Sequence, residues 1–269
     1  MGRERRGASF DCEILVAKLS TLFIKLGTTN RIYIAVLCWF IVIFGSWMND
    51  FHRPPEFYLS KKSNILNVVF AKWSLAWTFG LLAPFMALTY WRRSRSNLKV
   101  VCKHLLRLVA SYVVWYTLIA ILEFVEHQSG KCEGSDLYTT KQECHREGLL
   151  WNGFDISGHS FILIYCTLII SEEIQVIRYW RKDNLRRSSG DDERESGTTE
   201  KVTCCIALVL YISCCLLMML WIFLLAITSM YFHSTNSKLL GTILGLGAWY
   251  GTYNILFLSV KFPGAAVGS

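Results

Sequence analysis

The chain reads VTCCIALVLYISCCLLMMLWIFLLAITSMY over residues 202–231, thirty residues without Asp, Glu, Lys or Arg. At ~1.5 Å per helical residue, this run is longer than the ~30 Å hydrocarbon core of a bilayer, which about 20 residues cross. Lipid cannot satisfy backbone N–H and C=O groups, so a continuous helix is the economical form for such a run.

Working outward, five more apolar blocks follow the same logic. Residues 239–260 carry no charge, and residues 68–91 carry only Lys72, near their start. Residues 105–125 hold Arg107 and Glu123 near their ends. The run IYIAVLCWFIVIFGSW, residues 32–47, reaches spanning length once residues 30–49 extend to the interface. The weakest block is FILIYCTLII after Ser160, which is uncharged only from Ser157 to Ser171, before Glu172 and Glu173. A re-entrant segment and a full span reaching Arg178 both fit that length. The full span is preferred, with the glutamates facing protein or polar solvent. The expected fold is all-α and polytopic, with six transmembrane helices at about 32–49, 68–91, 105–125, 158–178, 202–231 and 239–260.

Composition agrees. The 269 residues are 53% hydrophobic and 18% charged, with a mean hydropathy of +0.34. A soluble domain carries about 25% charged residues, and a disordered chain would need low hydrophobicity and many charges. The net charge of +8 would suggest a nucleic-acid surface if the bases clustered on one soluble face. They do not. Lys and Arg before block one and in the five successive loops number six, three, six, three, seven and one. By the positive-inside rule both termini and the two-three and four-five loops are cytosolic, and the other loops face the lumen or outside. No nucleic-acid partner is expected.

The N-terminal segment, residues 1–31, has charges inside its apolar stretch, so no cleavable signal peptide is expected. Phe10, Ile14, Leu15, Leu19, Leu22, Phe23 and Leu26 can form one face of an interfacial helix. The loop RRSSGDDERESGTTEK, residues 186–201, reads as disordered, and residues 261–269 as a cytosolic tail. Of ten cysteines, eight lie in spans or on the cytosolic side and read as packing residues. Cys132 and Cys144 share a luminal loop, where a disulfide and two free thiols are both open readings.

Two of the six histidines stand apart. His159 opens block four and His233 closes block five, which the topology puts at one face and one depth. Histidine suits both nucleophilic and general-acid work near neutral pH. Ser157, Ser234, Thr235, Asn236 and Lys238 make the surroundings polar, and the helix start after Ser157-Gly158 would present N–H groups to an anion. Two unrelated interfacial histidines are the alternative. Asp155, His159 and His233 could ligate zinc, but their spacing matches no metal motif; no metal is expected and no cofactor is assigned. Gly241/Gly245 and Gly247/Gly251 give two small-residue spacings of four, suited to close helix approach or a lipid groove.

The run Gly153-Phe154-Asp155-Ile156-Ser157-Gly158-His159-Ser160, the block-five ending at His233 and the six-span plan resemble the fat storage-inducing transmembrane family, itself similar to the lipid phosphatase and phosphotransferase enzymes. The resemblance implies residence in the endoplasmic reticulum membrane and support of lipid-droplet formation and ER membrane homeostasis. It implies cleavage of fatty acyl-CoA at the diphosphate, giving acyl-4′-phosphopantetheine and adenosine 3′,5′-bisphosphate. It also implies binding of diacylglycerol and triacylglycerol, which alone would make the chain a non-enzymatic partitioner of neutral lipid. By position, His233 would attack phosphorus and His159 would protonate the leaving phosphate, with Ser157, Gly158, Asn236 and Lys238 holding substrate. The superfamily's Lys-x6-Arg-Pro motif is absent: Arg53-Pro54 is present, but position 46 is Ser. Charge stabilisation must then come from helix N–H groups, Lys238, a loop-one cation or a metal ion. Sequence leaves the oligomeric state open.

Overall fold

The computed structural model describes residues 30–52, 55–94, 96–134, 137–138, 140–154, 156–177 and 198–259. The expected interfacial helix, the C-terminal tail, Arg53, Asp155, Arg178 and most of the 186–201 loop lie outside the described residues. Seven α-helices of six residues or more organise the described residues: α1 Arg31–Phe51, α2 Ser74–Arg93, α3 Leu98–Ser129, α4 Lys141–Arg146, α5 Gly158–Glu173, α6 Thr198–Tyr231 and α7 Thr235–Tyr250. A π-helical segment, Leu66–Ala71, precedes α2, and another, Gly251–Leu256, extends α7. Residues 198–201, expected in the polar loop, already belong to α6.

The described residues hold four helices long and apolar enough to cross a membrane: Arg31–Phe51, Leu98–Ser129, Gly158–Val176 and Cys205–Tyr231. The protein is therefore an all-α, multi-pass membrane protein. Side-chain caps set the helix starts. Asn30 accepts from Ile32 N at 3.1 Å, Asn97 from Lys99 N at 3.1 Å, and Ser157 from Ser160 N at 3.3 Å. Each satisfies a backbone donor that the first turn leaves over.

The helix with the shortest uncharged run is the centre of the molecule. Every residue of α5 from Ser160 to Ser171 is buried. It packs most extensively on α7 and α6, then on α2 and α1. Its neighbours are protein, so its length and its glutamates do not have to meet the demands of lipid. Close approach to α7 depends on Gly241 and Gly245. A Cβ at Gly241 would collide with the Ser157 carbonyl, and one at Gly245 would lie 2.9 Å from Phe161 O. Gly247 and Gly251 have nothing within 4 Å of a built Cβ, so only the first small-residue pair serves this packing. Buried polar ties join several of the helices. Trp221 Nε1 donates to Thr78 Oγ1 at 3.1 Å, and Tyr165 OH donates to Ser111 O at 3.2 Å.

Glu172 and Glu173 end α5 in two different ion pairs. Glu172 pairs with Arg31 of α1 and accepts from Trp249 Nε1 at 3.1 Å. Glu173 pairs with Arg107 Nη2 at 2.7 Å and accepts from Tyr253 OH at 2.8 Å. The Arg107 guanidinium also lies over the Tyr253 and Phe257 rings, 5.6 and 5.7 Å from their centroids.

Between α3 and α5 a small extramembrane unit forms. β1 Lys131–Cys132 pairs antiparallel with β2 Trp151–Asn152. A Cys132–Cys144 disulfide, with Cα atoms 5.7 Å apart, ties β1 to α4. Gly153 lies so close to α3 that a Cβ there would sit 2.6 Å from Glu126 O. Phe154 N donates to Ser129 Oγ at 2.9 Å, which fixes the chain's path into α5.

Candidate active site

His159 and His233, 74 positions apart in the sequence, line one cavity of about 390 Å³. Four pieces of chain build it. The stretch before α2 gives Lys62, Asn67 and Lys72; α3 gives Ile119, Leu122, Glu123 and Glu126; the start of α5 gives Ile156, Gly158 and His159; the α6–α7 turn gives Phe232 and His233.

His159 is the second residue of α5, held by the Ser157 cap two residues upstream. A Cβ on Gly158 would meet nothing within 4 Å, so the glycine leaves room where the first-turn N–H groups of α5 emerge. That end of a helix favours an anion. His233 sits in the short turn joining α6 to α7, with φ 58°. Among non-glycine residues the left-handed region is sparsely used, and strain of this kind concentrates at functional sites. The first turn of α7, just after this turn, is tied to the α5 cap, because Ser157 N donates to Ser237 O at 3.1 Å. One hydrogen bond thus joins the two histidine-bearing junctions.

Sequence reasoning placed four further residues here, with mixed outcomes. Gly158 lines the cavity. Ser157 is fully buried, its hydroxyl used by the Ser160 N–H and by Ser160 Oγ at 3.0 Å. Asn236 is exposed on the first turn of α7 and does not line the cavity. Lys238 is fully buried and turned the other way, donating from Nζ to Ser229 O at 2.7 Å. Its neighbourhood includes Asp50, whose carboxylate accepts from Thr235 Oγ1 at 2.7 Å. Lys238 thus closes the α6–α7 turn from inside.

Lys62 belongs to loop one-two, whose cations the sequence allows at the site, whereas Asn67, Lys72, Glu123 and Glu126 were missed as site residues. Lys72 carried a signal, as the one charge in an apolar block, and so did Glu123 near the end of another. Neither signal says which way the side chain faces. Among the described residues, no group of three or more His, Cys, Asp and Glu comes together as a metal-binding set.

A bundle of apolar helices around a polar pocket with two histidines, two lysines and two glutamates defines a class: a multi-pass membrane protein with a polar, histidine-bearing pocket at its helix ends. The profile of the fat storage-inducing transmembrane protein family matches residues 118–253. The match takes in α5, α6, both histidines and the acidic wall of the cavity. The acyl-coenzyme A diphosphatase FITM2 of Bos taurus is 36% identical over 227 residues, covering 82% of this chain and 80% of that protein. FITM2 of Homo sapiens gives the same figures, and that of Drosophila melanogaster is 29% identical over 258 residues, covering 88% of this chain and 60% of the relative. No solved structure matches the chain. The chain belongs to the fat storage-inducing transmembrane family. By that kinship it is a membrane hydrolase of lipid metabolism.

Proposed function

We propose that the chain is a six-span acyl-CoA diphosphatase of the endoplasmic reticulum, with its termini cytosolic and its histidine pocket luminal. It would cleave fatty acyl-CoA to acyl-4′-phosphopantetheine and adenosine 3′,5′-bisphosphate, supporting lipid-droplet formation. The observation that carries this reading is the shared cavity of His159 and His233. The relatives' printed activity, acyl-coenzyme A diphosphatase, supports the substrate. Beyond the four spanning helices, α2 with 20 residues and the run from Thr235 to Ser259 would supply the other two spans of this plan.

The chemistry proposed is a two-step displacement. His233 attacks one phosphorus of the diphosphate, the bridging P–O bond breaks, and the departing phosphate takes a proton from His159. Water, deprotonated by His159, then attacks the phosphohistidine and releases the second product. Microscopic reversibility assigns both proton transfers to the same imidazole. Glu123 and Glu126 share the cavity, and a carboxylate beside an imidazole fixes which ring nitrogen carries the proton. Purified His159→Ala and His233→Ala should each lose acyl-CoA cleavage while keeping the wild-type elution profile on gel filtration. Wild-type rates in both variants would sink the assignment.

A second reading, neutral-lipid binding without catalysis, draws on an apolar groove of about 540 Å³ lined by Val68, Val69, Trp73, Ala76, Trp77 and Gly80. Triacylglycerol or diacylglycerol binding and droplet output that survive in the histidine variants would favour it.

A further inference from the structure

The two catalytic candidates do not by themselves balance a diphosphate's charge. Of the cations expected to do so, Lys238 faces away, which leaves a loop-one cation. Among the described residues, Lys62 and Lys72 are the lysine or arginine side chains that line the cavity.

Their placement is built, and the device is the π-helical segment. Lys62, Asn67 and Lys72 recur every five residues. On an α-helix at 3.6 residues per turn, such positions would fan around the axis. Here Lys72 N donates to Asn67 O at 3.1 Å, an i→i+5 bond that stacks residue 72 above residue 67. Asn67 Nδ2 in turn donates to Lys62 O at 2.7 Å. Buried Asn64 locks the turn between them: its amide nitrogen donates to Leu59 O at 2.9 Å and to Lys61 O at 2.6 Å, and its Oδ1 accepts from Asn67 N at 2.8 Å. Two asparagines and one wide turn therefore put two lysines on one side of the cavity. π-turns are rare and occur often at functional sites. The packing of α2 does not require this one, since α2 starts afresh at Ser74.

The remaining charged and titratable groups facing the cavity are Glu123 and Glu126 of α3 with the two histidines. The glutamates repel an anion that is not held. An anion at the histidines therefore depends on both lysines together with the α5 N-terminus.

We propose that Lys62 and Lys72, aligned by the π-turn at Leu66–Ala71, are the cationic clamp on the phosphoryl oxygens of the substrate's diphosphate. The role rests on the diphosphatase reading of the pocket, and it takes the place of the superfamily's missing Lys-x6-Arg-Pro motif.

The test uses the full chain in nanodiscs and methylenediphosphonate, a diphosphate that cannot be hydrolysed, titrated by calorimetry. Wild type should bind it, and more weakly as salt rises. Lys62→Gln and Lys72→Gln should each weaken binding by about tenfold or more, the scale of a lost charge-assisted hydrogen bond. Lys72→Arg should recover most of the affinity, which a purely structural role for Lys72 would not require. Lys61→Gln, one residue off the cavity, should bind like wild type. kcat/KM for oleoyl-CoA should fall in parallel in the two glutamine variants. Wild type that does not bind the probe, or glutamine variants that bind it like wild type, would overturn the clamp. Lysine-dependent probe binding without acyl-CoA cleavage by wild type would keep the clamp and remove the acyl-CoA reading.

Discussion

His233 is the residue at which local backbone preference and proposed chemistry conflict. Its φ of 58° follows directly on the last turn of α6, where helices commonly place a glycine. A side chain in the left-handed region costs roughly 1–2 kcal/mol, and glycine avoids that cost. His233→Gly should therefore unfold at a higher temperature than His233→Ala, by an amount equivalent to about 1 kcal/mol, while both lose acyl-CoA cleavage. Thermal unfolding of the purified variants in one detergent checks this. A glycine variant less stable than the alanine variant would show that the turn is not strained by its side chain. Both histidines were legible from sequence, because residue type and membrane depth are both readable there. Lys238 and Lys72 show where that ends. Each is a single charge beside an apolar run, and sequence offers no reason to turn one inward to Ser229 O and the other toward the histidines. The π-turn that decides Lys72 is invisible to any pattern based on 3.6 residues per turn.

At the scale of elements, α5 shows why hydropathy underrated the most important helix. Length and absence of charge measure fitness for lipid, and α5 touches protein along its whole buried run. The helices around it, with exposed apolar faces, carried the clear signals. The glycines give a sharper case. Gly241/Gly245 and Gly247/Gly251 have the same spacing, yet only the first pair meets α5. Alanine at Gly241 would press on the Ser157 carbonyl and lie 3.2 Å from Ser160 Cβ, at the cap that holds His159. Gly241→Ala should destabilise by about 1–3 kcal/mol, the scale of overpacking, and should lower acyl-CoA cleavage by disturbing the start of α5. Gly247→Ala has open space and should be neutral, or more stable by up to about 1 kcal/mol through helix propensity. Denaturant titration of the two variants compares the same added methyl group in two settings. Equal destabilisation would mean that the α5–α7 contact is looser than it looks.

Across the whole molecule, α5 has the histidine cavity at one end and fastening at the other. Its 16 residues run from the histidine cavity to the Arg31–Glu172 and Arg107–Glu173 pairs, about 20 Å away at ~1.5 Å per residue. Those pairs join α5 to α1 and α3, two helices that otherwise meet it less than α6 and α7 do. The net positive charge read from composition therefore has two destinations. Most bases flank the spans, while Arg31 and Arg107 are spent inside the bundle end, where the glutamates that weakened the spanning signal find their partners. Removing one member of a buried pair leaves the other charge unpaired and costs about 3–5 kcal/mol, whereas replacing both with apolar side chains of similar size is often close to neutral. Glu173→Gln should thus lower unfolding stability strongly, and the double variant Arg107→Met with Glu173→Leu should recover most of the loss. Because the cavity lies at the other end of α5, acyl-CoA cleavage per folded molecule should be near wild type in the double variant. Stability read by unfolding in mixed micelles, set beside specific activity on the same preparations, separates the two ends. If the double variant folds well and still loses cleavage, the glutamate end does more than fasten the helices, and the histidine cavity cannot be treated as an independent site.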